Sequence, residues 1–124
     1  VVKTNTTKIE VYNYRELIEF VDYIQSTTDS LLIKAELPDI VQIIEPENGK
    51  AFDYKELQGY LGGLIQIVPL LFTQAEEWKN HVVLVNEEGI NLNLPMNILS
   101  RLGNYFNGHT LFGNVLIVHR SNWE

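Results

Sequence analysis

The stretch DYKELQGYLGGLIQIVPL, residues 53–70, decides how the rest of the chain is organised. The spacing of Asp53 and Glu56 predicts a capping box, in which each side chain accepts a hydrogen bond from the other residue's backbone N–H at the start of a helix. Gly62 and Gly63 predict the end of that helix, because glycine adopts the left-handed conformation of helix ends without steric strain. We therefore expect a helix of about two turns.

The second half of the stretch, residues 64–70, is apolar and has the composition of a β-strand. Pro69 cannot donate a hydrogen bond to a neighbouring strand, so the segment is predicted to lie at the edge of a sheet. These signals predict the fold and do not identify a catalytic or binding group.

The composition is that of one soluble globular domain. The chain has 124 residues, of which 45% are hydrophobic and 20% are charged, with a formal net charge of -7. An acidic balance without clusters of Lys and Arg argues against direct nucleic-acid binding and against a membrane surface. The absence of cysteine excludes disulfides and thiolate chemistry and is compatible with the cytoplasm, in a host cell if the protein is viral. We expect no membrane association.

Working outward from residues 53–70, hydrophobic periodicity predicts further elements in order. Strands are predicted at residues 8–12, 31–36, 40–45, 81–85 and 113–119, and helices at residues 13–25 and 96–106. Asn13 and Glu16 repeat the spacing of a capping box at the start of the first helix.

Two segments of similar pattern indicate an internal duplication. VQIIEPENG (residues 41–49) and VVLVNEEG (residues 82–89) each combine a β run, acidic residues and a glycine, and each precedes a predicted helix and a second strand. Two βαβ halves predict an α+β, ferredoxin-like βαββαβ core, residues 40–124, with an antiparallel sheet and helices on one face. Residues 1–39 are predicted to form a strand-helix-strand extension on this core.

In such a core the first and third strands are parallel neighbours, so the turns that follow them meet at one end of the sheet. This end would be acidic and rich in amides, and suited to a cation or to a basic partner surface. The candidate binding residues are Glu45, Glu47, Asn48, Asp53, Asn86, Glu87, Glu88 and Asn93. The competing interpretation is that these residues form turns and cap helices.

No catalytic residue, cofactor or resident metal is predicted. His81, His109 and His119 are not spaced like metal ligands on one helix or turn, and a structural role is the commoner use of such histidines. No serine, histidine and acid arrangement suggests a nucleophile, and the Glu87-Glu88 pair points apart in regular structure.

Four strings resemble a small domain family of unknown function that is found in bacteriophages, other viruses, mobile elements and some bacteria. They are GGLIQIVPL (62–70), NEEG (86–89), LPMN (94–97) and GNVLIV (113–118), and the resemblance covers residues 41–119. It implies a viral or mobile-element accessory protein and supplies no catalytic residues.

The expected function is a non-enzymatic binding or interaction module that acts on a host protein or a small ligand. The alternatives are a nucleotide-binding sponge, which would need basic side chains around a pocket, and a small nucleotide-processing enzyme, which would need a concave pocket lined by acids or histidine. The edge strands at residues 64–70 and 115–119 also predict a homodimer formed through a sheet edge.

Overall fold

The computed structural model describes residues 6–9, 13–24, 26–35, 41–68, 80–97, 99 and 110–123. Within these residues the chain forms six strands, two α-helices and a short 3-10 helix. The strands are β1 (Thr6–Ile9), β2 (Ser30–Ile33), β3 (Val41–Ile44), β4 (Ile65–Ile67), β5 (His81–Asn86) and β6 (Val115–His119). The helices are α1 (Tyr14–Ile24), α2 (Tyr54–Leu61) and the 3-10 helix Arg120–Asn122.

All six strands belong to one sheet in the order β1-β3-β2-β6-β5-β4. Every neighbouring pair is antiparallel, with Leu31 opposite Ile43 on one side and Ile117 on the other. The prediction of an α+β fold with an antiparallel sheet is confirmed.

Strands β2 and β5 are buried along their whole length because a helix covers each face of the sheet. Leu31 and Ile33 of β2 belong to the apolar cluster that contains Leu17 of α1, whereas Leu32 between them packs in the cluster that contains Leu57 of α2. The alternation of side chains along a strand therefore puts α1 and α2 on opposite faces. The prediction that the helices share one face is wrong for the two helices described.

Helix α1 follows its sequence signals closely. The side chain of Asn13 accepts a hydrogen bond from Glu16 N at 3.0 Å, which satisfies a donor in the first turn. Leu17, Val21 and Ile24 recur at helical spacing, and all three are buried. This stripe attaches α1 to the sheet.

Helix α2 begins and ends where residues 53–63 predict. Asp53 accepts from Glu56 N, and the Glu56 side chain accepts from Asp53 N, so the capping box is confirmed. The helix ends at Gly62 with φ of 79°, and Leu57 and Leu61 form its buried face. The capped ends thus fix which residues of α2 face the sheet.

The ferredoxin-like arrangement is not what the strands adopt. It requires β3 and β5 to be parallel neighbours, but β3 lies between β1 and β2, and β5 lies between β6 and β4. Short connections favour the pairing of strands that are consecutive in the chain. The pairs β2–β3 and β4–β5 follow this rule, and β3 is left without a free side for β5.

The predicted extension is likewise not confirmed. Its strand β2 lies near the centre of the sheet, paired with both β3 and β6, and β1 pairs with β3. Residues 1–39 and residues 40–124 therefore contribute to the same sheet. The predicted boundary after residue 39 has no counterpart in the strand pairing.

Three further predictions concern individual elements. The strand predicted at residues 64–70 is β4 and lies at a sheet edge, as expected, but the strand predicted as a second edge, β6, is interior because β2 and β5 flank it. The helix predicted at residues 96–106 lies almost entirely outside the described residues. Leu99 is described and is fully buried in the cluster on the α1 face.

Candidate functional site

The first half of the predicted acidic site lies at the start of α2, where its polar groups organise the chain. Asn48 Oδ1 accepts from Lys50 N at 2.8 Å and from Ala51 N at 3.0 Å, which closes the turn after β3. Glu47 N donates to the Glu56 side chain at 3.0 Å, and Asp53 caps the helix. Glu45 and Glu47 are exposed.

The second half lies at the end of α2. The buried side chain of Asn86 donates to Leu61 O at 3.0 Å and accepts from Glu88 N at 2.8 Å, so it joins the end of β5 to the end of the helix. The side chains of Glu87 and Glu88 are exposed. Asn93 adopts a left-handed conformation with φ of 54° in the loop that follows.

The structure does not bring these two halves together. Strands β3 and β5 run in opposite directions, so the turns that follow them lie at opposite ends of the strands. Helix α2 spans the gap, and its eight residues correspond to about 12 Å at the usual helical rise. Among the described residues, no group of three or more histidine and carboxylate side chains is arranged to hold a metal ion.

A cleft beside β4 is a different candidate, and the sequence interpretation missed it. It has a volume of about 180 Å³. Segments that are far apart in the chain form its walls, namely β4, the end of β5, the following loop and residues 110–112. Its lining residues are Gln66, Val68, Val85, Asn86, Glu87, Gly89, Ile90, Thr110, Leu111 and Phe112. We call this the β4 cleft.

The β4 cleft combines a buried apolar floor with a polar and exposed rim. Val68, Val85 and Leu111 are each 7% exposed and belong to the core cluster on the α1 face. Ile90 at the rim is 70% exposed, and Glu87 next to it in the lining is also exposed. The arrangement can hold an apolar group over the floor and a cationic group at the rim.

Glycine keeps the loop after β5 close to the cleft wall. A Cβ atom on Gly89 would lie 3.1 Å from both Phe112 Cβ and Phe112 O, so a larger residue would push the loop away from Phe112. The loop is also closed by hydrogen bonds from Gly89 N to Asn86 O at 3.2 Å and from Leu94 N to Gly89 O at 2.9 Å. The glycine of the NEEG string thereby shapes the cleft.

The buried Asn97 anchors the far end of the same loop. Its side chain donates to Ile33 O and to Gly113 O, each at 3.0 Å, and accepts from Leu99 N at 3.0 Å. Asn114 similarly donates to Tyr60 O at 3.0 Å and accepts from Ala35 N at 3.2 Å. The asparagines of the LPMN and GNVLIV strings therefore tie loops to the sheet and to α2.

Two histidines lie together at the other end of the sheet. The rings of His81 and His119 are 5.1 Å apart in an edge-to-face arrangement, and His81 Nε2 is 3.3 Å from the carbonyl oxygen of Asp29. Burial lowers the pKa of His81 below its ordinary value of 6.5, and the neighbouring His119 lowers it further. His81 is therefore neutral at pH 7.

His119 contacts Ser121, a pairing that sequence spacing alone did not single out. His119 Nδ1 accepts from Ser121 N at 3.1 Å and lies 2.8 Å from Ser121 Oγ. The backbone hydrogen bond makes His119 the cap of the 3-10 helix, because it satisfies a donor in that helix. This bonding pattern is that of a cap, and the predicted structural interpretation of His119 agrees with it.

Tyr60 lies close to the acidic start of α2. Its pKa is raised above 10.0, first by burial and then by the charges of Glu56 and Glu47. The phenol is therefore neutral across the physiological range.

Comparison with known proteins identifies a family for the chain but no individual protein that is similar to it. No curated protein and no solved structure matches the chain. Within the described residues, no helix has the length and apolar character needed to cross a membrane. The match to a family model covers residues 30–124, which extends the predicted resemblance towards the N-terminus to the start of β2. The chain belongs to the family described as a domain of unknown function, DUF3846.

Proposed function

We propose that the protein is a non-enzymatic interaction module of a phage or mobile element. In this proposal it binds a host protein by receiving one apolar side chain of that protein in the β4 cleft. The observation that carries the proposal is the cleft itself, which has a buried apolar floor and an exposed rim that includes Ile90 and Glu87. The site of action is the cytoplasm of the host cell.

The size of the cleft favours a single side chain over a larger ligand. Sites for drug-sized molecules have volumes of about 300–1,000 Å³, whereas a cavity of about 150 Å³ accepts a group the size of benzene. At about 180 Å³ the β4 cleft matches one leucine, methionine or phenylalanine side chain. A nucleotide is considerably larger than this.

The charge of the cleft points to the same class of partner. Its described lining contains the carboxylate Glu87 and neither lysine nor arginine. Glu87 would repel a phosphate group. It would attract a basic residue of the partner that lies next to the inserted side chain. The formal net charge of -7 also favours encounter with a basic protein surface. These points favour the interaction module over the nucleotide-binding sponge or nucleotide-processing enzyme.

Capture from a lysate of the native host tests the proposal with a matched pair of variants. Ile90 and Leu92 lie in the same loop and are 70% and 52% exposed, but only Ile90 is in the cleft lining. We expect wild-type protein and Leu92→Asp to retain the same host protein, identified by mass spectrometry. Ile90→Asp should no longer retain this host protein, because a carboxylate at the rim is an unfavourable neighbour for the apolar side chain that enters the cleft.

The captured partner then allows a quantitative measurement by titration calorimetry. Ile90→Asp should bind the partner about tenfold more weakly, because part of the aliphatic side chain of Ile90 is no longer buried in the complex. Equal binding by Ile90→Asp and wild type would remove the β4 cleft from the interaction. Failure of the wild-type protein to retain any host protein would count against the whole proposal.

A further inference from the structure

Among the described strands, none pairs with the outer edge of β4, and the backbone groups of β4 follow a defined pattern. Val68 N donates to Val83 O at 2.9 Å, and Glu87 N donates to Leu64 O at 2.8 Å. In an antiparallel pair, backbone groups alternate between the two sides of the strand. Residues 64, 66 and 68 therefore direct their N–H and C=O groups towards β5, and Ile65 and Ile67 direct theirs away from the sheet.

We infer that a second copy of this chain pairs with that edge, antiparallel to β4 and about a two-fold axis at Gln66. In this register Ile65 of each copy faces Ile67 of the other, and both residues direct their backbone groups outward. Each such pair exchanges both of its N–H···O bonds, as in any hydrogen-bonded pair of an antiparallel ladder. The two sheets become one continuous sheet.

The side chains of β4 match this self-pairing on both faces. On the α2 face, Ile67 is 51% exposed, and it covers Ile65 of the second copy, which packs against the core cluster of that face. On the α1 face, the exposed Gln66 meets its own copy, and two amides can hydrogen-bond to each other. The sequence LIQIV, residues 64–68, contains no charge, so no like charges oppose each other across the axis.

The second copy also reaches the β4 cleft. Gln66 lines the cleft and lies on the proposed axis, so Gln66 of the second copy lies at the cleft rim. The two clefts then open on the same face of the joined sheet. This pairing does not require the host partner proposed above, and Ile67 is absent from the cleft lining, so the two proposals can fail separately.

The paired segment is short, so the dimer is expected to be weak. Stable interfaces bury about 1,200–2,000 Å² in total, and a strand of this length supplies a contact at or below the low end of that range. We therefore expect reversible association, with monomer at low micromolar concentration and dimer at high micromolar concentration.

Sedimentation velocity across this concentration range tests the pairing. Ile67→Lys puts a charge opposite Ile65 of the second copy and should leave only monomer at every concentration. Leu92→Lys places the same charge at an equally exposed apolar position, 52% against 51%, in the loop after β5 and outside the cleft lining, and should associate like the wild type. Both positions are largely exposed, so both variants should retain the wild-type melting temperature within a few degrees.

A cross-link tests the register. The chain has no cysteine, so Gln66→Cys introduces the sole thiol of each copy. Directly opposed residues of a non-hydrogen-bonded pair have Cα atoms about 4.5 Å apart, which lies within the usual disulfide range of about 4.4–6.8 Å. Under mild oxidation Gln66→Cys should form a disulfide-linked dimer at least tenfold faster than Leu92→Cys, whose thiol is exposed but lies outside the cleft lining.

Three results would overturn the inference. The first is a wild-type protein that remains monomeric at high micromolar concentration. The second is a dimer that persists in Ile67→Lys, because the contact then lies elsewhere. The third is cross-linking of Gln66→Cys at the same rate as Leu92→Cys, which would show random collision in place of a fixed register.

Discussion

At the scale of single residues, the buried side chains of Asn86, Asn97 and Ser30 have a structural role, because they form hydrogen bonds with other segments of the chain. Asn86 and Asn97 are almost fully buried, and each bonds backbone groups of segments that are distant in the chain. Ser30 accepts from His119 N at 2.9 Å and from the Asn122 side chain at 3.3 Å. Such contacts hold loops against the sheet, because an unsatisfied buried polar group is costly.

Two glycines provide a matched test of backbone constraints. Gly113 has φ of 80°, and a Cβ atom there would lie 2.8 Å from Leu94 Cδ1, whereas Gly59 in α2 has open space around it. We expect Gly113→Ala to lower the free energy of unfolding by about 1–3 kcal/mol, because of strain and the close contact. Gly59→Ala should raise it by about 0.5–1 kcal/mol.

Urea denaturation of both glycine variants measures these changes. The opposite signs make the comparison informative, since both substitutions add the same methyl group. A Gly113→Ala protein as stable as the wild type would show that the turn before β6 adapts without cost.

His81 predicts a loss of stability in mild acid. Its pKa is lowered in the folded protein, so below pH 6.5 the unfolded chain binds a proton that the folded chain does not. Stability is therefore full above pH 6.5 and falls as the pH decreases towards the lowered pKa of the folded state. We expect the free energy of unfolding to decrease between pH 7 and pH 5.5, where most carboxylates remain ionised.

The variant His81→Gln separates this effect from other titrations. Its free energy of unfolding should be lower than that of the wild type at pH 7 but should change less between pH 7 and pH 5.5. Melting curves at several pH values measure the slope. An identical slope in both proteins would assign the acid sensitivity to another group.

At the scale of elements, α2 depends on its cap because it is short. Isolated helices below about 12–15 residues are marginal in water, and α2 has eight residues. The reciprocal bonds between Asp53 and Glu56 satisfy backbone donors at its start, and Glu56 also accepts from Glu47 N. The cap thus joins the turn after β3 to the helix.

Substitutions at Asp53 test the cap. Asp53→Ala should lower the free energy of unfolding by about 1 kcal/mol, because the N–H of Glu56 loses its acceptor. Asp53→Asn should stay close to the wild type, since asparagine caps helices about as well. Urea denaturation compares the two, and an equal loss in both variants would indicate that the charge of Asp53 matters more than its hydrogen bond.

At the scale of the whole molecule, local signals were predictable and strand neighbours were not. The capping residues Asn13, Asp53 and Glu56 act between positions three residues apart, so their effects can be read from the sequence. Strand order instead depends on contacts between distant segments, such as Leu31 of β2 with Ile117 of β6. The similarity of residues 41–49 to residues 82–89 carries no information about such pairing.

The candidate site shows the same division. Asn48, Asp53 and Asn86 are predicted as binding residues, with turn and cap roles as the competing interpretation, and their hydrogen bonds are those of turns and caps or lie at the end of α2. Their predicted meeting depended on β3 and β5 being neighbours, and it failed with that assumption. The β4 cleft joins residues 66–68, 85–90 and 110–112, and no periodic pattern marks such a combination in the sequence.

The position of β6 has a consequence for how the protein is made. β6 follows the other strands in the chain, yet it fills the gap between β2 and β5 in the sheet. During synthesis the ribosome releases residues 30–33 and 81–86 long before the strand that joins them. Until then each of these buried, apolar strands has an open edge, and open edges invite pairing with other chains. Nascent chains that stall before residue 115 are therefore the species most exposed to aggregation and to chaperone capture.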